Sequence, residues 1–377
     1  WNHFLAFDSE TGVLRCESGV TIAEILQSVM PRGWFIPVTP GTKFVTIGGA
    51  LANDVHGKNH HRDGTIGRHI TRFELLRSDG TRMVCSPSEN ADYFAATIGG
   101  LGLTGIILWV EIQLKRVCTH KFDVETIQFH GLDEFLALSR ESDESYEYTV
   151  SWIDCVTGAR DDIRGLFMRG NHLDSGSLEV SLSDFQPKLP VPVNAPAWLL
   201  SKPTISLFNT LFYGKQLSKR RRTVADFNSF FYPLDILSDW YRLYGKRGFF
   251  QFQCTIPFDA VDSMRQLFRH IKDSGNGSFL VVLKTFGTLE SPGVLSYPSE
   301  GITLALDFAN DGLSTRSLID TLGEIAVEAG GRLYPAKDSI MTPEHFKTSY
   351  PQWTEFLKFK DPKLSSTFWR RVTDGIG

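Results

Sequence analysis

The chain has 377 residues, of which 42% are hydrophobic and 22% are charged, as in an ordinary globular protein. This length exceeds what one hydrophobic core usually covers, so it predicts two domains. The formal net charge of −4 gives no electrostatic reason to expect a nucleic-acid partner. Five scattered cysteines without a C-x-x-C pair argue against a disulfide framework or a zinc ribbon and favour free thiols in a reducing compartment.

The first part of the chain is predicted to mix short strands and short helices. Thr21 and Glu24 have the spacing of a capping box at the start of the first helix. Ser78-Asp79-Gly80 lies between two apolar runs and predicts a hairpin turn. In chain order, we predict a strand at 13–17, a helix at 21–30, strands at 73–76 and 82–85, a helix at 92–97 and a strand at 104–114.

From about residue 120 the pattern changes to strand runs with interspersed helices. The strands are predicted at 146–154, 164–168, 249–256, 279–284 and 302–308, and the helices at 260–272 and 315–329. The alternation in 146–154 predicts a half-buried strand. We therefore predict an antiparallel sheet covered by helices on one face, which is an α+β arrangement.

Residues 191–222 form an unusual segment between these strands. Its first part is apolar and interrupted by prolines, and its last eight residues contain five cations, Lys215 and residues 219–222. Such a segment can contact a membrane surface or a lipid phosphate. A surface loop with a solvated charge run is the alternative, and the sequence alone favours it. No run of 18 apolar residues occurs, so no transmembrane helix is predicted.

The stretch PVTPGTKFVTIGGALANDVHGKNHH, residues 37–61, combines two glycine turns with three histidines. His56, His60 and His61 have no carboxylate or cysteine at ligand spacing, and Gly57 interrupts a helix, so no metal site is predicted. No P-loop string occurs. Gly99-Gly100-Leu101-Gly102 follows a predicted helix rather than a strand, so it is not a Rossmann turn.

The two turns of this stretch have a possible role in backbone recognition. Residues 40–42 and 46–49 are predicted to expose successive N–H groups, as pyrophosphate-binding nests and helix N-termini do. Two tight turns between strands explain the same residues equally well. The pattern by itself leaves both interpretations open.

Three longer strings carry a resemblance: PGTKFVTIGGALANDVHGKNHH, DGTIGRHITRFELLRSDG and ADYFAATIGGLGLTGII. They resemble the flavin-binding domain of PCMH-type oxidoreductases, the vanillyl-alcohol oxidase superfamily. The similarity continues through FFQFQ, FLVVLKTFG, ITLALDF and GGRLYPAKDS, so it covers nearly the whole chain. T-x-G-G and G-G-x-G-x-T-G belong to the wider superfamily, whereas HGKNHH is specific to the branch that oxidises decaprenylphosphoryl-ribose for arabinan and cell-wall synthesis.

The resemblance implies an α+β, two-domain PCMH-type FAD-binding fold with an antiparallel-sheet substrate or cap domain. Residues 1–117 would be the FAD-binding domain, 118–330 the cap domain, and 331–377 a segment that returns to the FAD-binding domain. The family has an upstream strand and a pyrophosphate loop before this point. We therefore expect the other half of the flavin site to lie upstream of Trp1, and this chain alone to bind FAD poorly.

The same resemblance implies the cofactor contacts. His56 resembles a residue that lines the flavin site without a covalent bond, so a dissociable, non-covalent FAD is expected. Ile107 would contact the adenine side through its backbone. The complete implied set is Gly41, Thr46, Ile47, Gly48 and Gly49 along the pyrophosphate and ribityl chain, Asn53, Asp54, Val55 and His56 towards the flavin, and Ile107 and Tyr334.

Lys337 and His56 are the predicted catalytic residues. A flavin-dependent alcohol oxidation needs a group that takes the hydroxyl proton and a positive charge near the reduced flavin, and Lys337 fits either need. The alternative for Lys337 is an ordinary surface lysine.

The substrate side rests on residues of the predicted cap strands. Gln251 and Gln253 alternate along one strand, so they share a face and suit sugar hydroxyls. Lys284 interrupts an apolar strand, which is costly unless the lysine meets an anion or another partner. The resemblance places these three residues around a sugar phosphate, together with Lys58, Tyr232 and Asp307.

The resemblance, together with these residues, implies FAD-dependent oxidation of a secondary alcohol on a polyprenyl-phosphoryl pentose to the 2-keto sugar. A partner short-chain reductase would complete an epimerisation. The expected location is cytoplasmic or peripheral to a membrane, with the periplasm left open. A flavin oxidase of a soluble sugar, alditol or aldonolactone is the first alternative, and a cofactor-free binding module is the second.

Overall fold

A computed structural model describes residues 1–157, 163–337 and 340–375. Its strands are β1 Phe4–Phe7, β2 Val13–Glu17, β3 Trp34–Phe35, β4 Ile70–Leu76, β5 Arg82–Cys85, β6 Ile106–Gln113, β7 Lys115–Arg116, β8 Lys121–His130, β9 Tyr148–Asp154, β10 Arg164–His172, β11 Leu189–Pro190, β12 Arg220–Asp226, β13 Leu237–Ser238, β14 Phe249–Ile256, β15 Val281–Phe286, β16 Gly301–Ala309 and β17 Arg332–Leu333. Its α-helices are α1 Ile22–Val29, α2 Ile47–Ala52, α3 His60–Asp63, α4 Ala91–Thr97, α5 Gly131–Ser142, α6 Lys202–Gly214, α7 Phe227–Phe231, α8 Val261–Ser274, α9 Leu313–Glu328, α10 Pro343–Ser349, α11 Trp353–Phe356 and α12 Thr367–Val372.

The N-terminal part is built on a five-stranded antiparallel sheet in the order β1-β2-β6-β4-β5. Helix α1 packs into its core through a stripe that includes Ile22, Ile25, Leu26 and Val29. The predicted capping box is confirmed, because the Thr21 hydroxyl accepts from the Glu24 N–H and the Glu24 carboxylate accepts from the Thr21 N–H. This core fixes the loop that follows α1, where the first glycine turn lies.

The larger part is an eight-stranded antiparallel sheet in the order β12-β8-β10-β9-β15-β16-β14-β17. Helices α5, α8 and α9 cover one face of it through buried side chains such as Phe135, Leu267 and Leu322. The predicted α+β class with an antiparallel sheet is therefore confirmed.

The prediction of a half-buried strand at 146–154 is wrong. All seven residues of β9 are buried. The helices cover one face of the strand, and on the other face Trp152 packs against Phe212 of α6, with ring centroids 4.7 Å apart. Because both faces of β9 are covered, the strand has no solvent-exposed face, and the alternation of residue types in its sequence did not indicate exposure.

The C-terminal helices α10 to α12 join the core of the larger sheet through Phe346, Phe356 and Trp369. This segment also contacts the smaller sheet, because the Asp361 carboxylate accepts from the Ser78 N–H at 2.7 Å. The domain bounds themselves stay a prediction. Among the described residues, no helix combines the length and the hydropathy that crossing a bilayer requires.

Candidate active site

The second glycine turn does not present free N–H groups. The Gly49 N–H donates to Thr46 Oγ1 at 3.2 Å, and those of Ile47 and Gly48 donate to the Val20 and Ser18 carbonyls at 2.8 and 2.9 Å. The prediction that Thr46–Gly49 exposes successive N–H groups is therefore wrong, because the α2 N-terminus is already bonded to the chain that enters α1. A Cβ on Gly48 would come within 2.7 Å of Ser18 Cβ, so this close approach requires glycine.

The first glycine turn is open. Gly41 is exposed, and a Cβ built on it would meet no atom within 4 Å. In the described part of the chain, the N–H groups of Gly41 and Thr42 have no hydrogen-bond partner. Gly102, which follows α4, is equally open. Two open glycines and unpartnered donors fit a cofactor that approaches the backbone closely, as an FAD does.

Residues 228–235 contact the segment around the Pro40-Gly41 turn. The hydroxyls of Thr39 and Tyr232 are 2.6 Å apart, and the Lys43 N–H donates to Asp235 at 2.8 Å. Lys43 Nζ, which is almost fully buried, donates to Asn228 at 2.8 Å. Tyr232 thus lies beside the predicted cofactor turn, and its role towards the sugar stays a prediction.

Asp54 is fully buried and adopts a left-handed backbone conformation with φ of 40°. Its carboxylate accepts from the Gly67 N–H at 2.9 Å and from the hydroxyls of Ser291 and Ser296. The side chain of Asp54 is thus used within the protein, which leaves only its backbone for a cofactor. Burial raises the pKa of this carboxyl group, and the hydrogen bonds oppose the rise.

His56 lies at the centre of a cluster of predicted site residues and aromatic rings. Lys284 Nζ lies 3.0 Å from its Nδ1, and Gln253 Nε2 lies 3.0 Å from its Nε2. Three aromatic rings surround the imidazole: Phe286 at 4.8 Å, Tyr334 at 5.6 Å and Tyr297 at 5.9 Å between centroids. Burial holds the pKa of His56 well below its usual value, and Lys284 adds to this effect. The ring is therefore neutral at physiological pH.

Two lysines near His56 have no anionic partner among the residues that the structure describes. Burial lowers the pKa of Lys58 to about 7 and that of Lys284 to about 7, the latter helped by repulsion from Lys58. Lys58 donates to the Phe230 carbonyl, and Lys284 donates to that of Gly57 at 3.1 Å. Within the described ranges, neither lysine has a carboxylate at ion-pair distance. An anionic ligand group would satisfy both.

Gln251, Gln253 and Lys284 lie on one face of the larger sheet, as the period of two predicts. Gln251 pairs with Asp307 on β16, Gln253 with Ala305, and Lys284 with Thr303. Burial raises the pKa of the Asp307 carboxyl, which accepts a hydrogen bond from the Tyr244 hydroxyl at 2.9 Å. A row of amide, acid and ammonium groups on one face suits a polyhydroxylated anion.

Lys337 ends a short helical turn, Pro335–Lys337, after β17. It lines a cleft with Gln251, Gln253 and Tyr334, and its side chain keeps access to solvent. The surrounding protein lowers the pKa of Lys337, and the Asp307 charge opposes this. Tyr334, which donates to the Asn53 carbonyl at 3.1 Å, connects this turn to the glycine loop.

The structure thus brings together most of the predicted site residues: His56, Gln251, Gln253, Lys284, Asp307, Tyr334 and Lys337. Sequence reasoning missed Phe286, Tyr297 and Tyr244. Phe286 lies two residues after Lys284 on the same strand face, so the period of two could have found it. Tyr297 comes from a segment without regular structure and Tyr244 from a short helical turn, Trp240–Tyr244, and neither leaves a comparable signal in the sequence.

Arg220, Arg221 and Arg222 lie on an edge strand, β12, rather than in a loop, and Lys219 immediately precedes this strand. Lys219 pairs with Glu134 on α5, Arg222 pairs with Asp123 on β8, and Arg220 lies 3.9 Å from Glu125. Most of this charge is already compensated within the protein.

Comparison with known proteins identifies the family of this chain. Residues 1–86 match the FAD binding domain family. The chain is 34% identical over 368 residues to decaprenylphosphoryl-beta-D-ribose oxidase of Mycolicibacterium smegmatis, a match that covers 95% of this chain and 79% of that protein. This chain belongs to the decaprenylphosphoryl-β-D-ribose oxidase family.

Other relatives mark the limits of the shared features. A protein of Streptomyces coelicolor, described only as an uncharacterized protein in mprA 5'region, is 31% identical over 374 residues, which cover 95% of this chain and all of that protein. L-gulonolactone oxidase of Mus musculus is 29% identical over 112 residues, 30% of this chain and 25% of that enzyme. The match to decaprenylphosphoryl-beta-D-ribose oxidase therefore extends over nearly the whole chain, whereas the lactone oxidase matches less than a third of it. The cofactor of the family is FAD.

Proposed function

We propose that this chain catalyses the FAD-dependent oxidation of a secondary alcohol on a polyprenyl-phosphoryl pentose, such as decaprenylphosphoryl-ribose, to the 2-keto sugar. The observation that carries the proposal is the pair of partly buried lysines, Lys58 and Lys284, for which no described residue provides a carboxylate partner. A phosphate that bridges sugar and lipid would compensate this charge. The relative from Mycolicibacterium smegmatis is named for its action on decaprenylphosphoryl-beta-D-ribose, which is such a substrate.

The residues divide the work as follows. Gln251, Gln253 and Asp307 orient the pentose hydroxyls. Lys337 takes the proton from the hydroxyl group, because it lines the same cleft as Gln251 and Gln253. FAD, when bound, would supply the hydride acceptor for the carbon that bears this hydroxyl, so the alcohol would lose one proton from oxygen and one hydride from carbon and become a ketone.

His56 shapes the site without a covalent bond to the cofactor. Lys284 occupies its Nδ1 and Gln253 its Nε2, so neither ring nitrogen is free to bond to a flavin. Non-covalent FAD is therefore part of the proposal, and the open turn at Gly41 supplies the backbone approach.

The product also defines the neighbouring reaction. Reduction of the 2-keto group gives a secondary alcohol again. If the hydride is added to the opposite face, the configuration at that carbon is inverted. We therefore include a partner reductase of the short-chain type, which completes an epimerisation. Because the substrate carries a polyprenyl chain, a peripheral position at a membrane surface is included as well.

Anaerobic reduction of the flavin tests the proposal. The full-length protein is loaded with FAD and mixed with decaprenylphosphoryl-ribose in detergent, and the flavin absorbance is followed. We expect bleaching by this substrate and none by a soluble alditol or aldonolactone. Bleaching by the soluble compounds alone would establish the first alternative, and a full-length protein that binds no FAD would establish the second.

A further inference from the structure

Helix α6, Lys202–Gly214, has an apolar outer surface. Leu207, Phe208 and Leu211 are 60%, 45% and 65% exposed, whereas Ile205 and Asn209 face inward and are buried. No charged residue occurs between Lys202 and Lys215. A helix on a water-exposed surface normally carries polar and charged residues on its outer side, so this surface is built to meet something apolar.

The residues around α6 are those of a lipid interface. Trp198, 66% exposed, lies in the short helical turn Ala197–Leu200 just before the helix. Lys202 and Lys215 are exposed at the two ends, and within the described part of the chain neither forms an ion pair. Tryptophan rings prefer the headgroup level of a bilayer, and lysines extend from there towards anionic headgroups. The arrangement matches the charge and polarity profile of an anionic leaflet.

The same helix covers the substrate face of the larger sheet. Asn209 donates to Asp154 at 3.0 Å, and the ring of Phe208 lies 5.8 Å from that of Phe279. Phe279 stacks with Tyr244 at 5.6 Å, and the Tyr244 hydroxyl donates to Asp307. A continuous set of aromatic rings thus connects the outer apolar surface to the predicted sugar site.

We infer that α6, together with Trp198, Lys202 and Lys215, is the surface through which the protein docks on an anionic lipid membrane. This position lets a polyprenyl chain stay in the bilayer while its sugar phosphate reaches Asp307 and Lys284. The inference rests on the proposed function for the identity of that lipid, whereas the membrane contact depends on α6 alone. A second copy of the chain is the competing occupant of this surface.

Vesicle flotation tests the docking surface. The protein is floated with vesicles of phosphatidylcholine, with or without phosphatidylglycerol, and the bound fraction gives a partition coefficient. We expect Leu211→Gln to lower the coefficient by roughly tenfold, because one leucine no longer enters the apolar layer. Leu313→Gln is the matched control, since Leu313 is 85% exposed on α9, and it should leave the coefficient unchanged. The double change Lys202→Gln and Lys215→Gln should weaken binding only to the anionic vesicles.

Several outcomes would overturn the inference. One such outcome is that the wild-type chain does not float with the vesicles. Another is that Leu313→Gln weakens vesicle binding as much as Leu211→Gln does. A dimer in sedimentation equilibrium that Leu211→Gln converts to a monomer, without vesicle binding, would assign the surface to a second copy. The rate of flavin reduction with detergent-dispersed substrate verifies that the variants are folded, because Leu211 contacts none of the proposed catalytic groups.

The proposed function can fail separately. Flotation that depends on Leu211, in a protein whose flavin is not reduced by decaprenylphosphoryl-ribose, would keep the docking surface and discard the substrate. Reduction of the flavin by that substrate, in a protein that does not float with vesicles, would keep the substrate and discard the docking surface.

Discussion

Two groups of cations in this molecule differ in what surrounds them. The edge cations, Lys219, Arg220 and Arg222, are dense in the sequence, and each has a carboxylate partner from β8 or the helices. The interior lysines, Lys58 and Lys284, are isolated in the sequence, lie beside His56 and have only neutral partners among the described residues. The difference teaches that the absence of compensation, rather than the density of charge, indicates where an anionic ligand binds.

The largest effect is expected at Lys337, which like the interior lysines has no ion pair within the described ranges. Lys337→Ala should lower the rate of anaerobic flavin reduction by about 10²- to 10⁴-fold, because it removes the group that takes the hydroxyl proton. Stopped-flow absorbance measures this rate. Lys358→Ala, at an exposed position, is the control and should react at the wild-type rate. Undiminished reduction in the Lys337 variant would remove the catalytic assignment.

Lys284→Met should raise KM for the phosphorylated substrate by about 100-fold, because a buried cation that binds a phosphate is worth several kcal/mol. The measurement is the concentration dependence of flavin reduction. Lys58→Met should act in the same direction. If instead Arg222→Gln raised KM by a similar factor, the distinction between interior and edge cations would not hold.

A change of pH should have a smaller effect on the affinity for the phosphorylated substrate than the substitutions above. The pKa of each interior lysine is about 7 without ligand, and a bound phosphate raises it. Binding should therefore take up protons above pH 7, and affinity should fall roughly fivefold per lysine between pH 7 and pH 8 as the charged fraction decreases. Calorimetry in two buffers of different ionisation enthalpy measures the uptake. Affinity that rises with pH would contradict the assignment.

The smallest effect is expected at the edge. Arg222→Gln should change the melting temperature by no more than about 2 °C and leave flavin reduction unaltered, since an exposed ion pair contributes little. The change should also diminish at high salt. A large loss of stability would mean that β12 depends on this pair more than its exposure implies.

Local patterns predicted much of the fold. Strand β2 has the predicted bounds, and the capping box of Thr21 and Glu24 is present, because both depend on residues a few positions apart. The period of two also placed Gln251 and Gln253 on one face. Most other strand and helix ends differ by one to a few residues, where tertiary contacts decide which terminal residues join the element.

Long-range contacts could not be predicted in the same way. Ser291 lies 237 residues after Asp54, so the sequence near either residue does not predict their hydrogen bond. Tyr297 comes from a segment without regular structure, so no periodic pattern predicts its position beside His56. The run at 219–222 has the composition of a solvated loop, and only the pairing register with β8 shows that its charges meet carboxylates. The cofactor and the roles of His56 and Lys337 came from the family resemblance.

The hydrogen bonds of His56 have a further consequence, because they form a relay with a direction. Gln253 Nε2 faces His56 Nε2, so in this arrangement the imidazole carries its hydrogen on Nδ1 and donates it to a neutral Lys284 amine. An ammonium group can only donate. When an anion charges Lys284, the hydrogen must therefore move to Nε2, and the Gln253 amide must turn its oxygen towards the ring. The charge state of Lys284 thus decides which amide atom Gln253 turns away from His56 and, in the proposed function, towards the sugar.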